Sequence, residues 1–510
     1  MALAFGLALW AWALGWAVLD YPIYRDQHLG AAIEYHKNGI DLLRPVVPGF
    51  NATGTGTPQE FPLWQATAAV ALNLSGGWWG AANVVSLLLF SAALIPFYLL
   101  CRREASSLEC AGAPPGPQTG KHSALARELG WLGVALLLCQ PLVFHLAGAA
   151  QTDGLALSLL LCFMWAGERL RRSGALADAG LAAVFGILLA LTKLPYFMAG
   201  GIAAALMLLW NRETSRRWLL LAAVGLLAAA VFLVWNRWCE AEIGRAEFRY
   251  RAVMLKEMPQ WFFGDLAYRL DPMNYIKGGW RALASLWGSF VLIGLSLYGL
   301  WRRPKSPGSA LLIGALVVSL IFFKLVFTHR HYYLMYAPAV ALLNLYALAP
   351  LWCRLASKDA PIRWLASGAG VAILFLALFQ GLMAIEAFIQ SDPHPRKLGR
   401  IIREHVAADE KILLAGGGWG GNVFLHAERD GLSIDSTDFL SDPVALGRLR
   451  ELGYAKLVAV SESPLLHAVQ KANPGSAART RKTHEQYLSV ADGELETLYR
   501  DEHIIIKRIE

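Results

Sequence analysis

Apolar runs of roughly 15–25 residues recur along the first 390 positions, and basic clusters interrupt them in every second gap. A helix of that length crosses the hydrocarbon core of a bilayer, and as a helix it satisfies its own backbone polar groups. The span-length rule gives about eleven such helices, at 1–19, 78–101, 129–149, 154–169, 178–192, 195–210, 218–236, 282–301, 309–327, 333–351 and 364–389. Arg102/Arg103/Lys121/Arg127, Arg169/Arg171/Arg172, Arg212/Arg216/Arg217, Arg302/Arg303/Lys305 and Arg354/Lys358/Arg363 fill five alternate gaps. The excess of positive charge assigns those five to the cytoplasm. The expected fold class is a polytopic α-helical membrane protein.

Composition excludes a soluble class. At 510 residues and 56% hydrophobic, with a mean hydropathy of +0.41, too little polar surface is left to cover a water-soluble core. The net charge of +8 does not imply nucleic acid as a partner, because Lys and Arg lie in short inter-span clusters and not along one basic face. The six cysteines form no disulfide framework, and free thiols are expected. Met1–Leu19 lacks a basic leading region and a small-residue cleavage site, so it reads as a retained first span.

The opposite loops are then extracytoplasmic: 20–77, 151–153, 193–194, 237–281, 328–332 and everything after 390. This gives a transmembrane module over 1–390, with large external loops at 20–77 and 237–281, and a separate domain over 391–510. In that tail, helix-like Arg396–Ala408 precedes strand-like Lys411–Ala415, and Pro443–Leu452 precedes Lys456–Val460, the pattern of a small α/β domain. Gly416–Gly421 follows a strand and formally matches a dinucleotide fingerprint. No clean helix or ribose-binding acid follows at the required spacing, so a glycine loop is the better reading. Small residues Ala182, Ala183, Gly186, Gly200 and Gly201 are expected to let the middle helices pack closely.

Polar residues that could carry chemistry fall on the external side. Asp26, in Tyr24-Arg25-Asp26-Gln27-His28, and Asp153, in Gln151-Thr152-Asp153-Gly154, are candidate acid–base groups. Each has a structural alternative: Asp26 pairing with Arg25 or Arg44, and Asp153 capping a helix that starts at Gly154. Lys193 sits at the outer end of an apolar span, where an anionic headgroup would offset the cost of its ammonium; snorkelling to the interface is the alternative. Arg237, Arg245 and Arg249 are interleaved with aromatics including Tyr250, and His329, Arg330, His331 and Tyr332 form a second polar cluster. Arginine forks suit phosphate, although an interfacial helix explains a basic aromatic stretch equally well. The two histidines lack a carboxylate or cysteine to complete a metal site, so no cofactor is expected, with a divalent metal as the alternative.

In order along the chain stand the acid after the first span, Ala31–Pro48 behind it, Glu60-Phe-Pro-Leu-Trp64, the second acid, Leu191-Thr-Lys193-Leu-Pro195 and His329-Arg-His331-Tyr-Tyr333-Leu-Met-Tyr-Ala-Pro338. Together these resemble the GT-C glycosyltransferases, in particular the protein-mannosyltransferase and aminoarabinose-transferase-like group. The resemblance covers most of the chain. It implies a GT-C-like bundle that moves a sugar from a polyprenyl-phosphate donor to an acceptor hydroxyl at the extracytoplasmic face, with inversion. Asp26 would be the base, Asp153 its partner, and Lys193 with the arginine and histidine clusters would hold the donor phosphate. Arg25, His28, Glu60, Trp64 and Tyr250 would contact acceptor or sugar. Where the family often has Asp-Glu, Gln27 follows Asp26, which removes a second acid from this turn and argues against a divalent metal there.

Further implied are a bacterial inner-membrane location, with the tail domain outside the cytoplasm, and a lipid, glycan or protein acceptor. Two alternatives belong to other classes: a transporter of a solute or lipid-linked sugar, and an enzyme of the O-antigen ligase or polymerase type. The transferase reading requires Asp26, Asp153 and Lys193 to converge.

Overall fold

A computed structural model of the chain describes residues 6–11, 26–50, 60–107, 119–246, 248, 258–356, 368, 370–380, 394–415, 422–434, 443–460, 496–500 and 504–509. The chain forms two compact units. One comprises Met1–Ile23, Trp78–Trp235 and Leu255–Gln390; the other comprises Tyr24–Gly77, Asn236–Met254 and Ser391–Glu510.

The first unit is helical. Its elements include Gly80–Ser106, Thr119–Leu138, Pro141–Leu146, Thr152–Ser173, Leu176–Thr192, Leu194–Trp210, Ser215–Ile243 as far as Trp235, Phe290–Arg302, Pro307–Ile321 and Ala337–Ala356. Among the described residues three helical stretches, Gly80–Ser106, Ser215–Ile243 and Arg330–Leu355, are long and apolar enough to cross a membrane. A fourth candidate, Pro272–Trp287 with Phe290–Arg302, bends by 90° at the break around Gly288. The shorter apolar helices Leu176–Thr192, Leu194–Trp210, Pro307–Ile321 and Gly370–Gln380 complete the set. The described parts of the expected runs are therefore mainly helical, whereas the count of about eleven full spans is not established by these lengths.

Besides the break at Gly288 in 282–301, two expected spans are interrupted. Pro141 restarts the helix after Leu138, and Phe322 separates Pro307–Ile321 from Phe323–Thr328. Close backbone approach holds the bundle together. A Cβ on Gly314 would collide with the carbonyl of Ala199, one on Gly299 with the carbonyl of Leu343, and one on Gly200 would press on Phe163. Gly201, in contrast, has open space around it. The helix Thr152–Ser173 carries Asp153 in its first turn and Arg171 and Arg172 in its last, the charge order that a helix dipole favours. Near that last turn Glu168 gathers Arg171, Arg172 and Arg103, and Glu213 joins Arg171 to Arg217.

The second unit is built on a five-stranded sheet of order β2-β1-β3-β5-β4: β1 Lys411–Ala415, β2 Gly431–Ile434, β3 Tyr454–Val460, β4 Thr497–Arg500 and β5 Ile504–Arg508. The first three strands are parallel, and β5 runs antiparallel to both β3 and β4. Strand β1 is buried on both faces from Ile412 to Ala415, as its unbroken Ile-Leu-Leu-Ala requires. The helix His394–His405 covers one face through Leu398, Ile401 and Ile402.

The other face is covered in part by the loop that contains residues 31–50, whose Ala31, Val47 and Phe50 pack with Leu413, Leu432 and Leu457. Gly49 fixes that docking. Its φ of +81° suits glycine, and its carbonyl accepts a hydrogen bond from the Ser433 amide at 2.8 Å. The loop thus folds as part of the same unit as the tail. The α/β reading of the tail agrees with the structure, while Gly416–Gly421 lies outside the described residues. The expectation of free thiols fails at Cys353, which is disulfide-bonded; Cys101, Cys139, Cys162 and Cys239 are free.

Candidate active site

Lys193 is the single residue between two helices. Its extended backbone (φ −153°, ψ 94°) ends Leu176–Thr192 and begins Leu194–Trp210, whose Pro195 sits in the first turn where no backbone donor is needed. Its carbonyl accepts from the amides of Tyr196 and Phe197. The side chain is thereby aimed at the start of Thr152–Ser173, where its Nζ lies 3.4 Å from Asp153 Oδ1.

Both groups are withdrawn from solvent, with Asp153 0% and Lys193 3% exposed. Asp153 does not take the capping role open to it in sequence: Gln151 precedes the helix, no side chain caps it, and Thr152 is already helical. Removing either member of this buried pair would leave the other's charge uncompensated in a low dielectric.

The third face of the pair is aromatic. Lys193 Nζ lies 5.1 Å from the ring centroid of Tyr332, a cation–π distance, and the Tyr332 ring stands 6.4 Å from that of Tyr196. The Tyr196 hydroxyl donates to the carbonyl of His331 at 2.7 Å and so ties this helix to the 3-10 helix Arg330–Tyr336. The rings of His329, His331 and Tyr332 cluster within 4.6–6.5 Å of one another, and Trp261 meets His329 edge-on at 5.3 Å. Lys324 lies over the rings of Trp261 and Tyr268, and Arg281 donates to the carbonyl of Phe327. The first unit therefore brings Asp153, Lys193, Tyr332, His331, His329 and Arg330 into one neighbourhood. Tyr196, Lys324 and Arg281 join it without having been singled out from sequence.

In the second unit Asp26 opens the helix Asp26–Asn38, and its side chain lies outside the described residues, as do Arg25, Arg249 and Tyr250. Two residues on, His28 is buried, with its Nε2 3.3 Å from Glu60 Oε2 and its ring 6.4 Å from that of the fully buried Trp64. Arg237 sits within a helix, 81% exposed at its side chain, and pairs with Glu240 one turn on; Arg245 pairs with Glu242, which also meets Arg44. Among the described residues no group of three or more His, Cys, Asp or Glu side chains is assembled to hold a metal ion.

No family model and no curated protein matches the sequence. Among solved structures the chain is similar to the crystal structure of ArnT from Cupriavidus metallidurans bound to undecaprenyl phosphate, at 13% identity and a TM-score of 0.59, covering 100% of this chain and 97% of that one. It is also similar to ArnT from the same organism in the apo state, at 12% identity and a TM-score of 0.56, covering 100% and 98%. At these identities the likeness is one of fold: the chain has the fold of those two ArnT structures.

Proposed function

We propose that this chain is an integral-membrane glycosyltransferase that moves a sugar from a polyprenyl-phosphate donor to an acceptor hydroxyl at the extracytoplasmic face of a bacterial inner membrane. The observation that carries the reading is the buried Lys193–Asp153 pair beneath Tyr332 in a bundle with the fold of a protein crystallised with undecaprenyl phosphate. A paired ammonium kept in an apolar bundle is preorganised for an anion, and a leaving lipid phosphate develops negative charge where such a group stabilises it.

Asp26 acts as the base. It takes the proton from the acceptor hydroxyl as that oxygen attacks the anomeric carbon, and the carbon–oxygen bond to phosphate breaks with its electron pair leaving on the lipid phosphate. One displacement inverts the anomeric centre. Lys193, with Arg330, His329, His331 and Tyr332, stabilises the departing phosphate; Asp153 holds Lys193 in place. Arg237, Arg245 and Arg249 make outer phosphate contacts, and Arg25, His28, Glu60, Trp64 and Tyr250 contact acceptor or sugar. The roles of Asp26 and Arg25 are supported by their place in the first motif, and those of Arg249 and Tyr250 by the interleaving of arginines with aromatics in that stretch.

The test compares cells carrying the intact protein and Asp26→Asn at matched abundance. Loss of one sugar decoration from envelope lipid, glycan or protein supports transfer. Unchanged decoration with altered solute uptake overturns it in favour of transport.

A further inference from the structure

The helix Leu63–Leu74 is apolar apart from Gln65, Thr67 and Asn73, and Gln65 is turned inward, at 6% exposure. Its Oε1 is fully enclosed and has no hydrogen-bond partner among the described residues. An amide oxygen in that condition can be satisfied only by a donor from outside the protein's described residues. It faces a crevice of about 20 Å³ lined by Gln27, His28, Ala31, Pro45, Val47, Glu60 and Gln65. That volume admits a group about the size of one or two waters. Around it stand one orphan acceptor, the Glu60 carboxylate and the His28 imidazole held to that carboxylate at 3.3 Å. The crevice opens beside the same helix that carries Asp26, in its first turn.

We propose that this crevice is a subsite for a carbohydrate hydroxyl or hydroxymethyl group, and that Gln65 is a specificity-determining residue. The inference rests on the transferase reading and deepens it. A hydroxyl donates to Gln65 Oε1 and satisfies it, beside the His28–Glu60 pair. A phosphate is disfavoured, since Glu60 and the amide oxygen both present negative charge density. A fatty chain is disfavoured because it would leave the same polar atoms unpaired. The hydroxyl belongs to the acceptor or to the donor sugar, and the crevice has the same chemistry for both.

Saturation-transfer NMR on the full-length protein in nanodiscs separates these sources, with methyl β-D-glucopyranoside as one probe and a short-chain prenyl-phosphate glucoside as the other. The substitution is Gln65→Leu, with Gln65→Met as the second variant. Loss of the first probe's signal by about fivefold, the effect of one neutral hydrogen bond, assigns the hydroxyl to the acceptor. The same loss with the second probe alone assigns it to the donor sugar. Unchanged affinity for both probes overturns the proposal. Thermal melting supplies the structural control. Because the orphan amide oxygen is already unsatisfied, both variants melt at or above the wild-type temperature, whereas a packing role for the amide would lower it. Asp26→Asn keeps the two readings apart: if it leaves every envelope sugar decoration unchanged, transfer through Asp26 falls, and if it abolishes transfer while Gln65→Leu changes nothing, only the subsite falls.

Discussion

Lys193 Nζ stands 3.4 Å from Asp153 Oδ1 with both side chains almost completely withdrawn from solvent, so neither residue can be removed without stranding the other's charge. Lys193→Met and Asp153→Asn should each lower the stability of the full-length protein by about 3–5 kcal/mol, the cost of breaking a buried pair from one side. The double variant should recover most of that loss, because no charge remains. Thermal melting in detergent reads the cycle, and additive losses would contradict the pairing. The doubly neutral protein should still fail to transfer sugar.

Undecaprenyl phosphate binding tests whether the pair contributes to a phosphate site. Native mass spectrometry of the wild-type protein should show a bound lipid phosphate, reduced about tenfold or more in the double variant, in line with the loss of a charge-assisted contact. Equal occupancy in the two proteins would remove Lys193 from the phosphate site.

Two glycines on one helix make a matched pair. On Phe290–Arg302, a Cβ on Gly299 would run into the carbonyl of Leu343, while one on Gly294 meets nothing within 4 Å. Gly299→Ala should destabilise by about 1–3 kcal/mol through overpacking. Gly294→Ala should be neutral or stabilising by up to about 1 kcal/mol, the helix-propensity gain. Melting temperatures of the two variants in the opposite order would refute the packing of this helix on Ala337–Ala356.

In the sheet-containing unit, burial, reinforced by the positive charges of Arg396 and Arg403, lowers the pKa of His426 to about 4. The unfolded chain binds a proton near pH 6.5 and the folded one only near 4, so stability falls as pH drops through that window and is unaffected above it. Hydrogen exchange of β1 and β2 in the full-length protein should quicken at pH 5 relative to pH 7, after correction for intrinsic rates. His426→Gln should diminish that difference; an equal pH effect in the variant would exclude His426 as its source.

The sequence patterns that survive best are those set by period and charge. Lys411–Ala415 was expected as a strand and is one, because an unbroken apolar run between turn signals suits a strand covered on both faces. Asp153 and Lys193 were legible because ionisable groups bordering apolar spans are costly without a partner. Their mutual pairing was not, since it depends on how Thr152–Ser173 and Leu194–Trp210 meet. Gln65 left only a faint sign, one amide beside Trp64 in an apolar helix, and its meaning depends on what it fails to bond. The pairing of Arg237 with Glu240 could have been read from their spacing, three apart on a helix. The docking of 31–50 on the sheet could not, because it joins segments separated by more than 350 residues.

The donor lipid itself supplies the decisive readout. Mass spectrometry of membrane lipids from cells carrying Asp26→Asn should show a polyprenyl-phosphate sugar accumulating while one envelope decoration of the same sugar disappears. A donor pool and a decoration both at wild-type levels, with Asp26→Asn present at matched abundance, would contradict transfer through Asp26.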